Sequence, residues 1–102
     1  MAAHNLDIRF SASAREDFVA ILRYTLATWG EAQMLGYREK LESALDRVAE
    51  NPELGRQRTE LAQGYRSIAV GSHMIIYRIA GQTLDIVRIL HSRMDPTTQL
   101  AE

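Results

Sequence analysis

The chain has 102 residues, of which 46% are hydrophobic and 25% charged, with no cysteine and a net charge of −1. This length and composition predict one globular domain over residues 1–102. The absence of cysteine excludes a disulfide framework and a thiolate metal site, and the net charge argues against a protein that coats nucleic acid. No apolar run is long enough to cross a bilayer, and the first residues lack the pattern of a signal peptide. We therefore expect a cytoplasmic protein without membrane contact or sequence-specific DNA binding.

Charge is distributed unevenly along the chain. Residues 1–55 carry six Lys and Arg against nine Asp and Glu, whereas residues 56–102 carry six Arg against four Asp and Glu. Arginine favours planar, bidentate contacts with carboxylates and phosphates. The C-terminal half therefore suits an acidic peptide partner or a local phosphate contact, although a solvated surface with scattered charges explains the same imbalance.

The N-terminal segment predicts a short strand followed by an amphipathic helix. Apolar and charged residues alternate over Leu6–Phe10, which is typical of a half-buried strand. Ser13 is expected to cap the helix, with Glu16 reaching back to it. The apolar stripe of this helix consists of Phe18, Ile21, Leu22, Thr25 and Trp29.

A second helix is predicted from about Glu31 to Glu50. Gly30 before it is suited to end the first helix in a left-handed conformation, and Asn51-Pro52 ends the second. Because the link is so short, the two helices should form an antiparallel hairpin. Such apolar stripes form either plain core or a binding groove, and the sequence leaves both open. The stripe of the second helix consists of Met34, Tyr37, Leu41, Ala44, Leu45 and Val48.

The C-terminal half predicts three strands. A polar connection holding Arg56 and Arg58 leads to strands at Tyr65–Val70, His73–Ile79 and Thr83–Leu90, with glycine in both turns. The predicted fold class is α+β, with two layers in the order β-α-α-β-β-β and the helical hairpin packed on one face of an antiparallel sheet. The other sheet face carries no predicted helix, so it must either bind a partner or be protected from solvent in another way.

No standard catalytic, cofactor or metal motif is present. His4, His73 and His91 are far apart in sequence, so we expect no metal and no cofactor. His91 is the best candidate for chemistry, because a titratable imidazole near Arg93 and Asp95 is able to do acid–base work. The alternative is that Asp95 pairs with Arg93 and fixes the chain end, and we favour that structural role.

Short motifs occur in order along nearly the whole chain, and the closing Ile-Leu-His-x-Arg-Met-Asp is the most specific of them. They are Leu6–Phe10, Ala14-x-x-Asp17, Tyr24 with Trp29-Gly30, Asn51-Pro52, Gly55-Arg56-x-Arg58-x-Glu60-Leu61, Gly64-Tyr65-Arg66-Ser67, Gly71-Ser72-His73, Ile76-Tyr77-Arg78 and Ile86–Asp95. With these motifs the chain resembles the ParE-type toxins of the RelE/ParE superfamily. The resemblance implies the toxin of a type II toxin–antitoxin pair, which inhibits DNA gyrase by protein–protein contact and is neutralised in a hetero-oligomer with a ParD-like antitoxin. It also implies that the first strand lies beside the last.

The same superfamily contains RelE-type toxins, which cut mRNA on the ribosome. In RelE-like sequences the general base is typically a tyrosine in the tail, whereas the last tyrosine here is Tyr77 and the lysine-rich surface is missing. We therefore expect no catalytic residues. If the chain were an endonuclease, it would use His91, Arg93 and Arg66. A non-toxic paralogue that only binds an antitoxin is the third interpretation.

Two sets of contact residues follow from these arguments. The segment after the last strand leaves a rigid element and still reaches solvent, which suits a contact with the target. The predicted target-binding residues are Arg66, His91, Arg93 and Met94. The predicted antitoxin-binding residues are Leu22, Leu41, Arg56, Arg58 and Arg78.

Overall fold

The computed structural model describes residues 5–100, so His4 lies outside the described residues. No helix within this range is long and apolar enough to cross a membrane. The elements are β1 (Asp7–Phe10), α1 (Ala12–Trp29), α2 (Glu31–Glu50), β2 (Arg56–Gln57), β3 (Arg66–Val70), β4 (His73–Ala80), β5 (Thr83–His91) and α3 (Pro96–Leu100).

The five strands form one sheet in the order β1-β5-β4-β3-β2, with the helical hairpin of α1 and α2 packed on it. The predicted two-layer α+β fold and the position of the first strand beside the last are both confirmed. The sheet is mixed rather than purely antiparallel, because β1 runs parallel to β5. Alternation of apolar and polar residues identifies a strand and its two faces, but it carries no information about the direction of the partner strand.

The start of α1 differs from the sequence prediction. The N-cap is Ser11 rather than Ser13, and its hydroxyl accepts the backbone N–H of Ala14 at 3.0 Å. The Ser11 hydroxyl also donates to the carbonyl of Val87 at 2.8 Å, so one side chain caps the helix and fixes it to the sheet. The end of α1 is as predicted, because Gly30 adopts a φ of 96°.

The hydrophobic core lies between the hairpin and the sheet. Thr25 follows the predicted stripe and is buried, whereas Trp29 at the end of the same stripe is 64% exposed. The stripe therefore leaves the core one turn before the helix ends. The core residues are Ala14, Leu41, Ala44, Leu45, Val48, Ala49, Val70, Ile75, Tyr77, Leu84, Ile86 and Ile89.

We call the opposite side of the sheet the open face; it is the side to which Ser67 and Ile76 project by strand alternation. Ile76 is nevertheless fully buried although it lies outside the hairpin-side core. The short helix α3, which the sequence did not predict, reaches this region, since its Gln99 carbonyl accepts from the guanidinium of Arg88, the register partner of Ile76. The C-terminal segment therefore contacts the sheet through Arg88 of β5.

The connection after α2 is fixed by a buried tyrosine. Tyr77 is 0% exposed, and its hydroxyl donates to the Pro52 carbonyl and accepts the Gly55 N–H, both at 2.8 Å. Burial raises the pKa of the Tyr77 phenol, so the hydroxyl keeps its proton over the ordinary pH range. A methyl group on Gly55 would lie 2.5 Å from the Tyr77 hydroxyl, so this close approach requires glycine.

Replacing Tyr77 by phenylalanine is expected to lower the free energy of unfolding by about 1–3 kcal/mol, because the buried Gly55 N–H and the Pro52 carbonyl lose their partner. Urea denaturation followed by circular dichroism measures this. Tyr24→Phe is the matched control, since Tyr24 is 67% exposed and its change should stay within about 0.5 kcal/mol. Equal losses in the two variants would contradict a structural role for the Tyr77 hydroxyl.

Candidate functional site

The predicted target-contact segment leaves the sheet at the end of β5. His91 pairs with His73 across the sheet, and its Nδ1 accepts the backbone N–H of Arg93 at 3.1 Å. The Met94 N–H donates to the His91 carbonyl at 2.9 Å, which makes a tight turn. Arg93 and Met94 are exposed on this turn. The expected placement, polar and adaptable side chains held at the end of a rigid strand, is therefore present.

Arg66 does not lie beside this segment, and the expectation that it joins His91 and Arg93 is wrong. Arg66 is at the start of β3, whereas His91 aligns through His73 with Val70 at its end. Four residues of strand separate the two positions by about 13 Å along the sheet. The Arg66 guanidinium instead donates to the carbonyl of Gly55 at 2.7 Å. Arg66 therefore fixes the connection between α2 and β3.

Asp95 caps α3 rather than pairing with Arg93. Its carboxylate accepts the Thr97 N–H at 3.0 Å and the Thr98 hydroxyl at 3.3 Å. Hydrogen bonding to Thr97 lowers the pKa of the Asp95 carboxyl. The ion pairs found among residues 5–100 do not include Asp95 and Arg93. The predicted pairing of Asp95 with Arg93 is therefore wrong, although Asp95 has a structural role at this end of the chain.

A cluster that sequence reasoning missed joins α2 to β4 and β5. Tyr37 Oη lies 3.0 Å from the Val70 carbonyl and 2.6 Å from His73 Nδ1. The His73 ring stands edge-on to the His91 ring, with centroids 5.4 Å apart. Burial, and then the nearby His91, lower the pKa of His73. The only sequence signal was that His73 begins one apolar strand and His91 ends another.

The lowered pKa of His73 predicts a pH-dependent stability. The folded state binds a proton on His73 less readily than the unfolded chain does. The contribution of neutral His73 to the free energy of unfolding is therefore complete above a pH of about 6.5, and it is lost as the pH falls through the folded pKa. We expect the wild-type protein to lose more stability between neutral and mildly acidic pH than His73→Gln does. Urea denaturation across this range measures the difference, and parallel pH profiles would contradict the prediction.

The two leucines predicted to bind an antitoxin occupy different environments. Leu41 is 0% exposed and belongs to the hairpin-side core, so the prediction that it contacts a partner is wrong. Leu22 is half-buried and lines an open groove of about 410 Å³ along the outer side of the hairpin. We call this the hairpin groove, and its lining includes Phe18, Val19, Leu22, Leu26, Met34 and Arg38.

The predicted antitoxin-binding arginines differ in how freely they reach solvent. Arg58 has a 12% exposed side chain, because Nε lies 2.7 Å from a Glu60 carboxylate oxygen and Nη1 donates to the Ser67 hydroxyl at 3.0 Å. Hydrogen bonding to Arg58 lowers the pKa of the Glu60 carboxyl. Arg56 is exposed on the edge strand β2. Arg56 is therefore better placed for a partner than Arg58, and so is Arg78, whose side chain is 51% exposed.

Arg78 belongs to a row of charges across the open face. Its Nε lies 3.5 Å from one Asp85 oxygen, and Arg9 Nε lies 3.8 Å from the other. Both arginine side chains are more than half exposed, at 51% for Arg78 and 71% for Arg9. Two cations thus share one carboxylate, which leaves net positive charge on this part of the face.

An ion pair between Asp17 and Arg88 links the hairpin to the sheet. Asp17 on α1 accepts Arg88 Nε at 2.7 Å and Nη2 at 3.0 Å, and the same carboxylate accepts the Ile89 N–H at 2.9 Å. Hydrogen bonding to Asp17 raises the pKa of Arg88. The sequence motifs contained Asp17 and Arg88, but without any sign that they pair. Within residues 5–100, no group of three or more metal-ligating side chains is assembled.

Comparison with known proteins gives a consistent result. A family profile described as the ParE toxin of the type II toxin–antitoxin system, parDE, matches residues 8–96. Toxin ParE1 of Mycobacterium tuberculosis strain H37Rv is 42% identical over 86 residues, covering 83% of this chain and 88% of the relative. Toxin ParE1 of Caulobacter vibrioides is 35% identical over 92 residues, covering 90% of this chain and 95% of the relative.

Solved structures share the fold. The chromosomal ParDE system from P. aeruginosa matches with a TM-score of 0.72 and 18% identity, covering 86% of this chain and 97% of that one. The RelBE2 toxin–antitoxin complex from Mycobacterium tuberculosis matches with a TM-score of 0.60 and 27% identity, covering 85% of this chain and 98% of that one. Since the profile and the relatives span most of its length, the chain belongs to the ParE family of toxins of type II toxin–antitoxin systems.

Proposed function

We propose that this toxin inhibits DNA gyrase by protein–protein contact in the cytoplasm and is neutralised by a ParD-like antitoxin. The observation that carries the proposal is the similarity to ParE toxins over nearly the whole chain, including the closing segment from His91 to Asp95. On this proposal the chain is not an enzyme. The exposed Arg93 and Met94 supply a directional and an adaptable contact for the target.

The environments of the endonuclease candidates support a non-catalytic mechanism. Arg66 donates to backbone carbonyls and lies about 13 Å along the sheet from His91, so the two could not act on one phosphate. Tyr77, the last tyrosine, is 0% exposed and engaged with Pro52 and Gly55. General acid–base catalysis needs its groups within hydrogen-bonding reach of one reacting centre.

The proposal is tested with the purified toxin and two assays run in parallel. We expect block of DNA supercoiling by gyrase, or trapping of cleaved DNA, and no cleavage of ribosome-bound mRNA. The antitoxin encoded beside the toxin gene should restore gyrase activity. Cuts in mRNA with gyrase unaffected would reverse the assignment, and inactivity in both assays would indicate the non-toxic paralogue.

The endonuclease remains the second candidate because one observation favours it. The His91 imidazole is half-buried at the end of β5, next to the exposed Arg93, which is an arrangement suited to acid–base work.

Two variants at this end of the sheet separate the mechanisms. His91→Ala should leave growth inhibition nearly unchanged for a protein–protein inhibitor, whereas an endonuclease using His91 as acid or base should lose about 10²–10⁴ in rate. The double variant Arg93→Ala, Met94→Ala should lose toxicity while remaining folded and able to bind antitoxin. Colony formation after induction measures toxicity, and full toxicity of the double variant would move the target site elsewhere.

The antitoxin is expected to lay an amphipathic helix in the hairpin groove and to place acidic residues on the open face. The groove is apolar where Val19 and Leu26 are 44% and 45% exposed, as a helix-in-groove contact requires. The excess positive charge of Arg9 and Arg78 around Asp85 complements an acidic segment. Folding of a disordered tail on binding costs several kcal/mol of the gross interaction, so both surfaces must be used together.

A further inference from the structure

A cavity of about 380 Å³ opens between the tip of the helical hairpin and the end of the sheet. It lies on the hairpin side, so it is separate from the open face and from the hairpin groove. The proposed gyrase and antitoxin contacts leave most of it unused. Its lining includes Tyr24, Trp29, Gln33, Tyr37, His73 and His91.

Hydrogen bonds fix the two imidazoles of this cavity in opposite roles. The Val70 carbonyl is only an acceptor, so its contact and the 2.6 Å contact to His73 are both satisfied when Tyr37 donates to Val70 and His73 Nδ1–H donates to Tyr37. His73 Nε2 is then an acceptor. His91 Nδ1 accepts the Arg93 N–H, so the neutral His91 ring carries its proton on Nε2 and is a donor there.

The chemical state of His73 agrees with this arrangement. Burial and the neighbouring His91 lower the pKa of His73, which keeps its ring neutral and its Nε2 lone pair available at neutral pH. Within residues 5–100, neither Nε2 atom has a hydrogen-bond partner. Two rings that line the cavity therefore carry one acceptor and one donor, and their centroids are 5.4 Å apart.

Two aromatic side chains at the mouth of the cavity are not explained by packing. Trp29 is 64% exposed and Tyr24 is 67% exposed, although both line the cavity and both come from α1. Large aromatic side chains contribute most when buried, and proteins that bind single-stranded nucleic acid use aromatic side chains as stacking surfaces for bases. Gln33 adds an amide that both donates and accepts.

We propose that this cavity binds a nucleobase, stacked on Trp29 and Tyr24, with its edge hydrogen-bonded to His73 and His91. Each nucleobase carries a donor and an acceptor side by side on its Watson–Crick edge. In uracil the ring N3–H would donate to His73 Nε2, and the adjacent carbonyl would accept from His91 Nε2–H. The base comes either from a free nucleotide or from single-stranded RNA, and both offer the same edge. The proposal does not depend on which target the toxin has.

The chain offers a direct probe, because Trp29 is its single tryptophan. Uridine 5′-monophosphate and a single-stranded hexauridylate are each added to the full-length protein, and tryptophan fluorescence is recorded against free tryptophan as a control for collisional quenching. We expect saturable quenching. Tighter binding of the oligonucleotide identifies single-stranded RNA as the source of the base, whereas equal binding identifies the free nucleotide.

Two comparisons test the assigned contacts. Uridine monophosphate methylated at N3 lacks the donor and should bind the wild-type protein about tenfold more weakly. His73→Ala should weaken binding to a similar extent, whereas Arg15→Ala, at an exposed position near the start of α1, should leave it unchanged. The proposal would be overturned by quenching that is linear with ligand concentration. It would also be overturned by saturable quenching whose affinity is the same after N3 methylation and in His73→Ala. The methylated ligand needs no variant, so the test stands even where His73→Ala fails to fold.

Discussion

Replacing Leu41 by alanine is expected to lower the free energy of unfolding by about 3–5 kcal/mol, and Leu41→Asp is expected to leave the chain unfolded. Leu41 is 0% exposed at the centre of the core between the hairpin and the sheet, so alanine leaves a cavity. An aspartate there would bury a carboxylate without a partner. A domain of this size has only about 5–15 kcal/mol to lose. Urea denaturation of the alanine variant and circular dichroism of the aspartate variant measure both effects.

Leu22 is the matched control on the same hairpin. It is half-buried in the hairpin groove, so Leu22→Asp should cost about 1 kcal/mol of stability while lowering antitoxin affinity at least tenfold. Isothermal titration with the antitoxin measures the second effect. Leu41→Ala, which remains folded, should bind the antitoxin nearly as the wild type does. Equal stability losses at the two positions, or unchanged antitoxin affinity in Leu22→Asp, would contradict this division of roles.

The different burial of Leu22 and Leu41 also shows which features the sequence does not predict. A 3.6-residue period identifies the apolar stripe of each helix. Gly30 and Asn51-Pro52, which interrupt helices, predicted the bounds of α2 as the structure has them. The period does not distinguish the part of a stripe that faces the sheet from the part at its margin. Leu22, Leu41 and Trp29 all lie on predicted apolar stripes, although Leu41 is 0% exposed and Trp29 is 64% exposed.

The missed elements have a common physical cause. The two-residue strand β2 is set by pairing with β3, and α3 is a single five-residue segment capped by Asp95. Neither is long enough to produce a period of its own. The Tyr37–His73 contact joins residues 36 positions apart, and it depends on the hairpin docking on the sheet. Such contacts exist only once the tertiary structure has formed, so a single sequence predicts the residues but not their partners.

The ion pair of Asp17 with Arg88 is a further contact of this kind, and its position explains its importance. Strand β1 covers the edge of β5 only as far as Ile86, where Phe10 is its last partner. Beyond that point the Ser11 hydroxyl donates to the Val87 carbonyl, and the Asp17 carboxylate accepts the Ile89 N–H. The Asp17 side chain therefore satisfies a backbone donor of β5 beyond the end of β1, and it also neutralises Arg88.

Asp17→Ala is expected to lower the free energy of unfolding by about 2–4 kcal/mol. The two side chains are only 16% and 21% exposed, so removing the carboxylate leaves a largely buried guanidinium and the Ile89 N–H without a partner. The partial exposure places the loss below that of a fully buried pair. Asp17→Asn should lose about half as much, because the amide oxygen still accepts one of these hydrogen bonds. Urea denaturation at neutral pH measures both variants.

A surface pair on the same hairpin provides the control for Asp17. Glu42 lies 3.2 Å from Arg38 with both side chains about half exposed, so Glu42→Ala should cost no more than about 0.5 kcal/mol. If the loss in Asp17→Ala came from general electrostatics, the two variants would respond alike to added salt, because exposed pairs are screened. We expect instead that the Asp17→Ala deficit persists in high salt, since its origin is the unpaired groups beneath α1. A deficit that disappears in high salt would place the pair among ordinary surface contacts.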